Sequence, residues 1–396
     1  MNHPRELAAA FQPNRRTFLS AAGLTGLGAL LTACSGSSGG VSGGGSTVQG
    51  GDLAKAAAGV VGNKKLGSDL LVYTWADYSN PTTFQQFTKA AGPNVRLSTF
   101  DSVEAQIAKL KLAHGSPTYD IVVPGDPYIT QMVDEGLLEK LDHSKLPNFD
   151  KVSSDYRYST FDPHGEYTVL KDYGTHGFVY DATVIKEDLT SWADFFRVAA
   201  LPGVSGKVSI FDDQPSVFGL VFWRDGMDYN SGKESDLRYA KKVLVKELMP
   251  HVKAFDANAG NALINGTYVL SQMSNGQSRS VVTQDPERFK FVYPTPQSVI
   301  WSDRWAIAAN APHRDAAYAF LNYVLDPQVS ANELSYSGYD TAVTGVDKFL
   351  APNLAEKDLI IVPEDVRKRL VPQKIEGSNP SLRVTIFNEI KASASG

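Results

Sequence analysis

Cysteine is nearly absent from this sequence: Cys34 is the single one, so no intramolecular disulfide can staple the fold. The seven histidines show no His-x-x-x-His or Cys-His spacing, which argues against a dedicated zinc site. There is no Gly-x-Ser-x-Gly elbow, no His-Glu-x-x-His and no compelling Ser/His/Asp set, so the hydrolase classes with those signatures find no support. Positive charge is in deficit, with 38 Lys and Arg against 43 Asp and Glu. A net charge of −5 gives no footprint for nucleic acid, and it does not disfavour a small cationic ligand. The apolar segment from Leu19 to about Leu31 is too short and too rich in Gly and Ala to be a comfortable membrane span. No repeat at the common solenoid periods is visible. What remains is a chain of 396 residues, 42% hydrophobic and 20% charged, with the composition of an ordinary soluble protein and the length for two domains.

The amino terminus reads as an address. Asn14-Arg15-Arg16-Thr17-Phe18-Leu19 resembles a twin-arginine export signal, and Leu31-Thr32-Ala33-Cys34 resembles a bacterial lipobox. The resemblance implies cleavage before Cys34 and lipidation of that residue, and lipid chains give stable anchoring when more than one is present. Residues 1–33 are then the signal peptide. Residues 34–68 are the lipidated Cys and a tether, since the Gly/Ser run from Ser35 to Gly51 cannot bury a core.

The body is organised around Leu70 to Pro81. Leu70 to Tyr73 suits a strand covered on both faces. Asn80-Pro81 opens a helix, with Asn as N-cap and Pro at the first position. Between them lie Trp75, Asp77 and Tyr78, in the loop where open α/β sheets bind ligands. An indole face, a phenol and a carboxylate suit a desolvated cation. The same residues also suit a hinge core with a capping Asp.

Further along, strands are expected at Val95–Phe100 and Tyr119–Pro124. A helix should begin at Asp101 to Glu104, with Ile107, Leu110 and Leu112 on one side and Gly115 at its end. A helix from Ile129 to Glu135 completes a β-α-β-α-β-α alternation, the mark of a parallel sheet. Tyr167–Leu170 and Gly177–Tyr180 read as paired strands flanking Lys171 to His176. A second α/β series follows, and Ile300 to Ile307 reads as a crossing strand.

Trp75-Ala76-Asp77-Tyr78, Tyr119 to Pro124, Thr190 to Asp194, Phe211-Asp212-Asp213, Leu248-Met249-Pro250, Trp301-Ser302-Asp303 and Ser337-Gly338-Tyr339 occur in the order found in bacterial spermidine/putrescine-binding proteins. From about Leu70 to about Tyr339 the chain resembles that family, the substrate-binding subunits of polyamine ABC importers. The resemblance implies an α/β, two-lobed periplasmic-binding-protein fold with crossing hinge strands. Lobe 1 would be residues 69–172 plus 303–345, and lobe 2 residues 173–302 plus 346–396. It implies a non-enzymatic, monomeric, extracytoplasmic receptor that needs no cofactor and no metal. Its partners would be a small cationic amine, a permease and ATPase complex, and the membrane through the lipid anchor.

Carried over by position, the ligand-binding residues would be Trp75, Asp77, Tyr78, Asp213, Trp301, Asp303 and Tyr339. Departures stand beside them. Gly125 and Pro127, with Tyr128 next along, replace a serine and an aromatic; Ser216 replaces an acid, and Ser274 replaces a Trp. A smaller or less charged amine fits these changes, as does an amine bearing a carboxylate that Arg304 or Arg279 could bind. The alternatives are the same fold binding an amino acid, γ-aminobutyrate or an opine-like compound, or an exported hydrolase using Asp212-Asp213. Adjacent strand residues point to opposite faces, which counts against that acid pair.

Overall fold

The structure is a computed structural model that describes Leu53, Lys55, Ala56, Gly59 and residues 66–100, 102–113, 118–374 and 380–394. The export signal, Cys34 and most of the tether lie outside the described residues, as does Gly115.

β1 (Asp69–Trp75) carries alternate side chains into two cores. Leu70 and Val72 face one containing Phe87 and Phe320, while Tyr73 faces another with Ile107 and Met132. Asn80 caps the following helix Pro81–Ala91 by accepting the Thr82 N–H at 2.9 Å, and Gly92 ends it at φ 97°. β2 (Asn94–Phe100) runs parallel to β1, and so does the short β3 (Ile121–Val122). In the helix Val103–Leu112, Ile107 and Leu110 are buried but Leu112 is 89% exposed. Two residues past Leu110 is about 200° around a helix, so Leu112 cannot share that face.

The main departure from expectation is β4 (Thr168–Asp181). Lys171 to His176 is not a link between two paired strands; it is the middle of one strand 14 residues long. Its polar groups find partners inside the protein. The Tyr173 hydroxyl donates to Asp340 at 2.6 Å, and the Thr175 N–H donates to Asn275 at 2.9 Å. Polarity there reflects internal bonding rather than a solvated turn.

The remaining strands are β5 (Val208–Ile210), β6 (Val252–Phe255), β7 (Leu270–Ser274), β8 (Phe289–Val292), β9 (Ser298–Ile307) and β10 (Leu370–Pro372). The order along the main path is β2-β1-β3-β9-β4-β7-β5-β6, with β8 on β4 and β10 on β9. β3 and β9 are antiparallel, so the first sheet is mixed rather than wholly parallel. Thr168 to Thr175 of β4 pairs with β9, and His176 to Asp181 pairs with β7 and β8. Strands β4 and β9 therefore cross between two α/β lobes. The second lobe has its own core around Phe178, Trp192, Phe218 and Trp223. The helix Pro380–Ser393 adds Ile386 and Ile390 to that core, and Lys391 pairs with Asp212 at 2.5 Å.

Candidate ligand-binding site

Asp77 takes φ 53° after β1, and this left-handed turn precedes Tyr78. The Tyr78 hydroxyl donates to Asp303 Oδ2 at 2.8 Å and bonds Asp172 as well. These two carboxyls stand opposite each other in the β4/β9 ladder, so one phenol bridges both. Burial raises the Asp303 carboxyl to about 7, and the Asp172 charge adds to that; the Tyr78 bond and Lys171 work the other way. Asp172 is likewise raised, first by burial, against the opposing pull of Lys171.

Gly338 closes the helix Pro327–Ser337 in the left-handed region, φ 76°, and Tyr339 follows it. The Tyr339 ring lies edge-on to Trp301, with centroids 4.8 Å apart, and 6.1 Å from Tyr78. Its hydroxyl is 2.7 Å from Ser274 Oγ. Two glycines allow this packing. A Cβ on Gly174 would sit 2.4 Å from the Trp301 ring, and one on Gly276 would sit 2.4 Å from Tyr339. Gly125 leaves space beside Asp303, 3.4 Å from where its own Cβ would be.

Asp213, on the second lobe, caps the helix Gln214–Arg224. Its Oδ2 accepts the Ser216 N–H at 3.0 Å and the Ser216 hydroxyl. The residue is exposed to solvent. Its carboxyl is raised, first by lost hydration and then by the charges of Glu104 and Asp212. Glu104 belongs to the first lobe and accepts the Tyr128 hydroxyl at 2.6 Å. Asp213 in turn acts on Tyr128, whose hydroxyl is raised first by burial.

Tyr78, Trp301, Asp303 and Tyr339 thus form one cluster, and Asp213 lies near Glu104 and Tyr128 of the other lobe. Trp75 packs on Phe100 at 4.5 Å, and no hydrogen bond or ring contact joins it to the cluster among the described residues. Asp77 is exposed on its turn, where its charge acts on Tyr336. Arg304 is ion-paired to Asp126 at 2.5 Å, and Arg279 donates to the Ala355 and Ser335 carbonyls. Sequence reasoning missed Lys171 and Asp172. The run from Thr168 to Asp181 lacks Pro and Asn, but Asp172, Gly174 and Gly177 in it are themselves turn formers, so the local signal for a continuous strand is weak.

Two α/β lobes joined by crossing strands, with acids and edge-on rings where they meet, define a periplasmic binding protein. A model of the bacterial extracellular solute-binding protein family matches residues 82–359, and the chain belongs to that family. It is 31% identical over 325 residues to the spermidine/putrescine-binding periplasmic protein of Escherichia coli, covering 82% of this chain and 91% of that one. It is 25% identical to the putrescine/agmatine-binding protein of Pseudomonas aeruginosa, covering 81% and 91%. Among solved structures it is similar to the spermidine/putrescine ABC transporter substrate-binding protein PotD of Streptococcus pneumoniae. That match has a TM-score of 0.71 and 28% identity, and covers 83% of this chain and 100% of that one.

Proposed function

We propose that this protein is the extracytoplasmic receptor of an ABC importer and captures a small linear amine between its lobes. It hands the amine, unchanged, to a permease and ATPase complex. The observation that carries this is the Tyr78 hydroxyl held between Asp172 and Asp303, beside the Trp301 and Tyr339 rings. Carboxylates pair with ammonium groups, and aromatic faces cover the methylene chain, each desolvated cation–π contact contributing about 2 kcal/mol. The names of the relatives support the same ligand class.

Trp75, Asp77 and Asp213 complete the groove when the lobes close. The lobes divide as 69–172 with 303–345, and 173–302 with 346–396. The protein acts as a monomer, exported through Arg15-Arg16 and held at the membrane by lipidated Cys34. No described helix is long and apolar enough to cross a membrane. A Cys34→Ser variant should leave the membrane fraction; retention there would refute the anchor.

A second reading, an amine bearing a carboxylate, draws on the Trp75 and Trp301 indole N–H groups, which are buried and meet no acceptor among the described residues. Against it, Arg304 and Arg279 already have partners. Calorimetry of the mature body against putrescine, spermidine, agmatine, γ-aminobutyrate and amino acids decides. Saturable heat with an amine and no product formed supports the receptor; binding of γ-aminobutyrate alone favours the second reading, and turnover overturns both.

A further inference from the structure

One cation already sits in the acidic cluster. The buried Lys171 ammonium lies 2.6 Å from Asp172 Oδ2 and 3.1 Å from the Tyr78 carbonyl oxygen. The Tyr78 ring centroid is 3.5 Å away and the Trp305 centroid 5.5 Å. A carboxylate, a carbonyl and two aromatic faces are the groups that hold a desolvated primary ammonium. The chain has built such a receptor and filled it with its own side chain.

The backbone is shaped for this. In a regular strand Lys171 and Asp172 would point to opposite faces. Here the ladder slips: Leu170 stands opposite Arg304 and Asp172 opposite Asp303, leaving Lys171 as the extra residue. A bulge of this kind re-aims a side chain, and here the two groups meet.

We infer that Lys171 is a specificity-determining residue: it occupies one ammonium position of the acidic groove, so the groove takes a linear diamine in preference to a triamine. This rests on the amine reading above. Asp126 is neutralised by Arg304 and Asp172 by Lys171. The same lysine acts on Glu333, whose Oε1 accepts the Asn80 N–H at 3.1 Å. Glu104 is exposed and holds the Tyr128 hydroxyl. Asp77 is exposed on its turn and its charge acts on Tyr336, so it stays hydrated at the rim. That leaves Asp303 and Asp213, neither with an ion-pair partner among the described residues, for two ammonium groups of a ligand. A small cavity lined by Lys171, Asp172, Glu333, Ser337 and Tyr339 adjoins the lysine, so shortening it makes room for a third.

The test is calorimetry with putrescine and spermidine on four proteins, with melting curves as the folding control. The wild type should prefer putrescine. Lys171→Met should raise the spermidine-to-putrescine affinity ratio by about tenfold or more, the scale of one desolvated charge pair. The double variant Lys171→Met/Asp172→Asn should return the ratio to the wild-type value. Asp172→Asn alone leaves the lysine uncompensated beside the groove and should weaken both amines by about tenfold. A wild type that binds neither amine overturns the amine reading and this inference with it. A wild type that binds, with a ratio unmoved by Lys171→Met, overturns this inference alone. If Lys171→Met does not fold, unchanged affinities in Asp172→Asn overturn the inference in its place.

Discussion

Asp303 must be an anion to bind an ammonium, in surroundings that favour its neutral form. Burial and the neighbouring Asp172 raise its carboxyl to about 7 from an ordinary 3.8. Below pH 7 the free receptor therefore holds a proton that an ammonium must expel. At pH 6, putrescine binding should release close to one proton, and affinity should fall about tenfold per pH unit below 7 and level off above it. Calorimetry in buffers of different ionisation enthalpy measures both quantities. Asp303→Asn should bind at least about tenfold more weakly and lose the pH slope, because the Coulomb partner and the titrating group are the same atom set. Stability moves the opposite way. A carboxyl raised in the folded state penalises folding above pH 7, and the penalty disappears as pH falls through 7 toward 4. The ligand-free Asp303→Asn protein should therefore melt higher than wild type at pH 8. A variant that keeps wild-type affinity and slope would remove Asp303 from the site.

The crossing strand β4 shows what could be read in the sequence and what could not. Its flanks, Thr168 to Leu170 and Gly177 to Tyr180, are largely apolar and read as strand. The middle reads as a link because Lys171, Asp172, Gly174 and His176 look like solvated chain. The partners of Tyr173, Thr175 and Gly174, which are Asp340, Asn275 and Trp301, lie about 100 to 170 residues away, and no local pattern announces them. For the same reason Trp301, Asp303 and Tyr339 came from ordered family motifs, while Lys171 and Asp172, which belong to none of the motifs matched, were missed. Gly174 is the point where this strand yields to the site. With a Cβ at position 174, both the Trp301 ring, 2.4 Å from it, and the Asn275 amide oxygen, at 2.7 Å, must give way, or the strand itself must shift. Gly174→Ala should lower the melting temperature, with an overpacking cost of about 1–3 kcal/mol. It should also weaken amine binding and quench or shift Trp301 fluorescence. Wild-type melting and binding together would mean the ring does not seat on that backbone.

Across the whole molecule, the acids of the groove come from both lobes. Glu104 of the first lobe raises the carboxyl of Asp213 on the second, and both groups reach water. Like charges on the two sides of the gap should oppose closure in the absence of a cation, while the crossing strands β4 and β9 and the Ser274–Tyr339 and Arg279–Ser335 hydrogen bonds join the lobes. Crossing strands flex as a hinge, so the lobe angle should follow whatever neutralises the gap. An amine between the lobes supplies that charge. Small-angle X-ray scattering of the mature body should give a smaller radius of gyration with saturating putrescine than without it. Because the ligand binds the folded and not the unfolded chain, the same concentration should raise the melting temperature; at a hundred times the dissociation constant the gain is about 2.7 kcal/mol. Glu104→Gln removes the repulsion without touching Asp303, so its ligand-free form should scatter as a more compact particle than the wild type. Superimposable curves for the wild type with and without putrescine, despite a measured rise in melting temperature, would show that the amine binds lobes already closed and that these charges do not set the hinge.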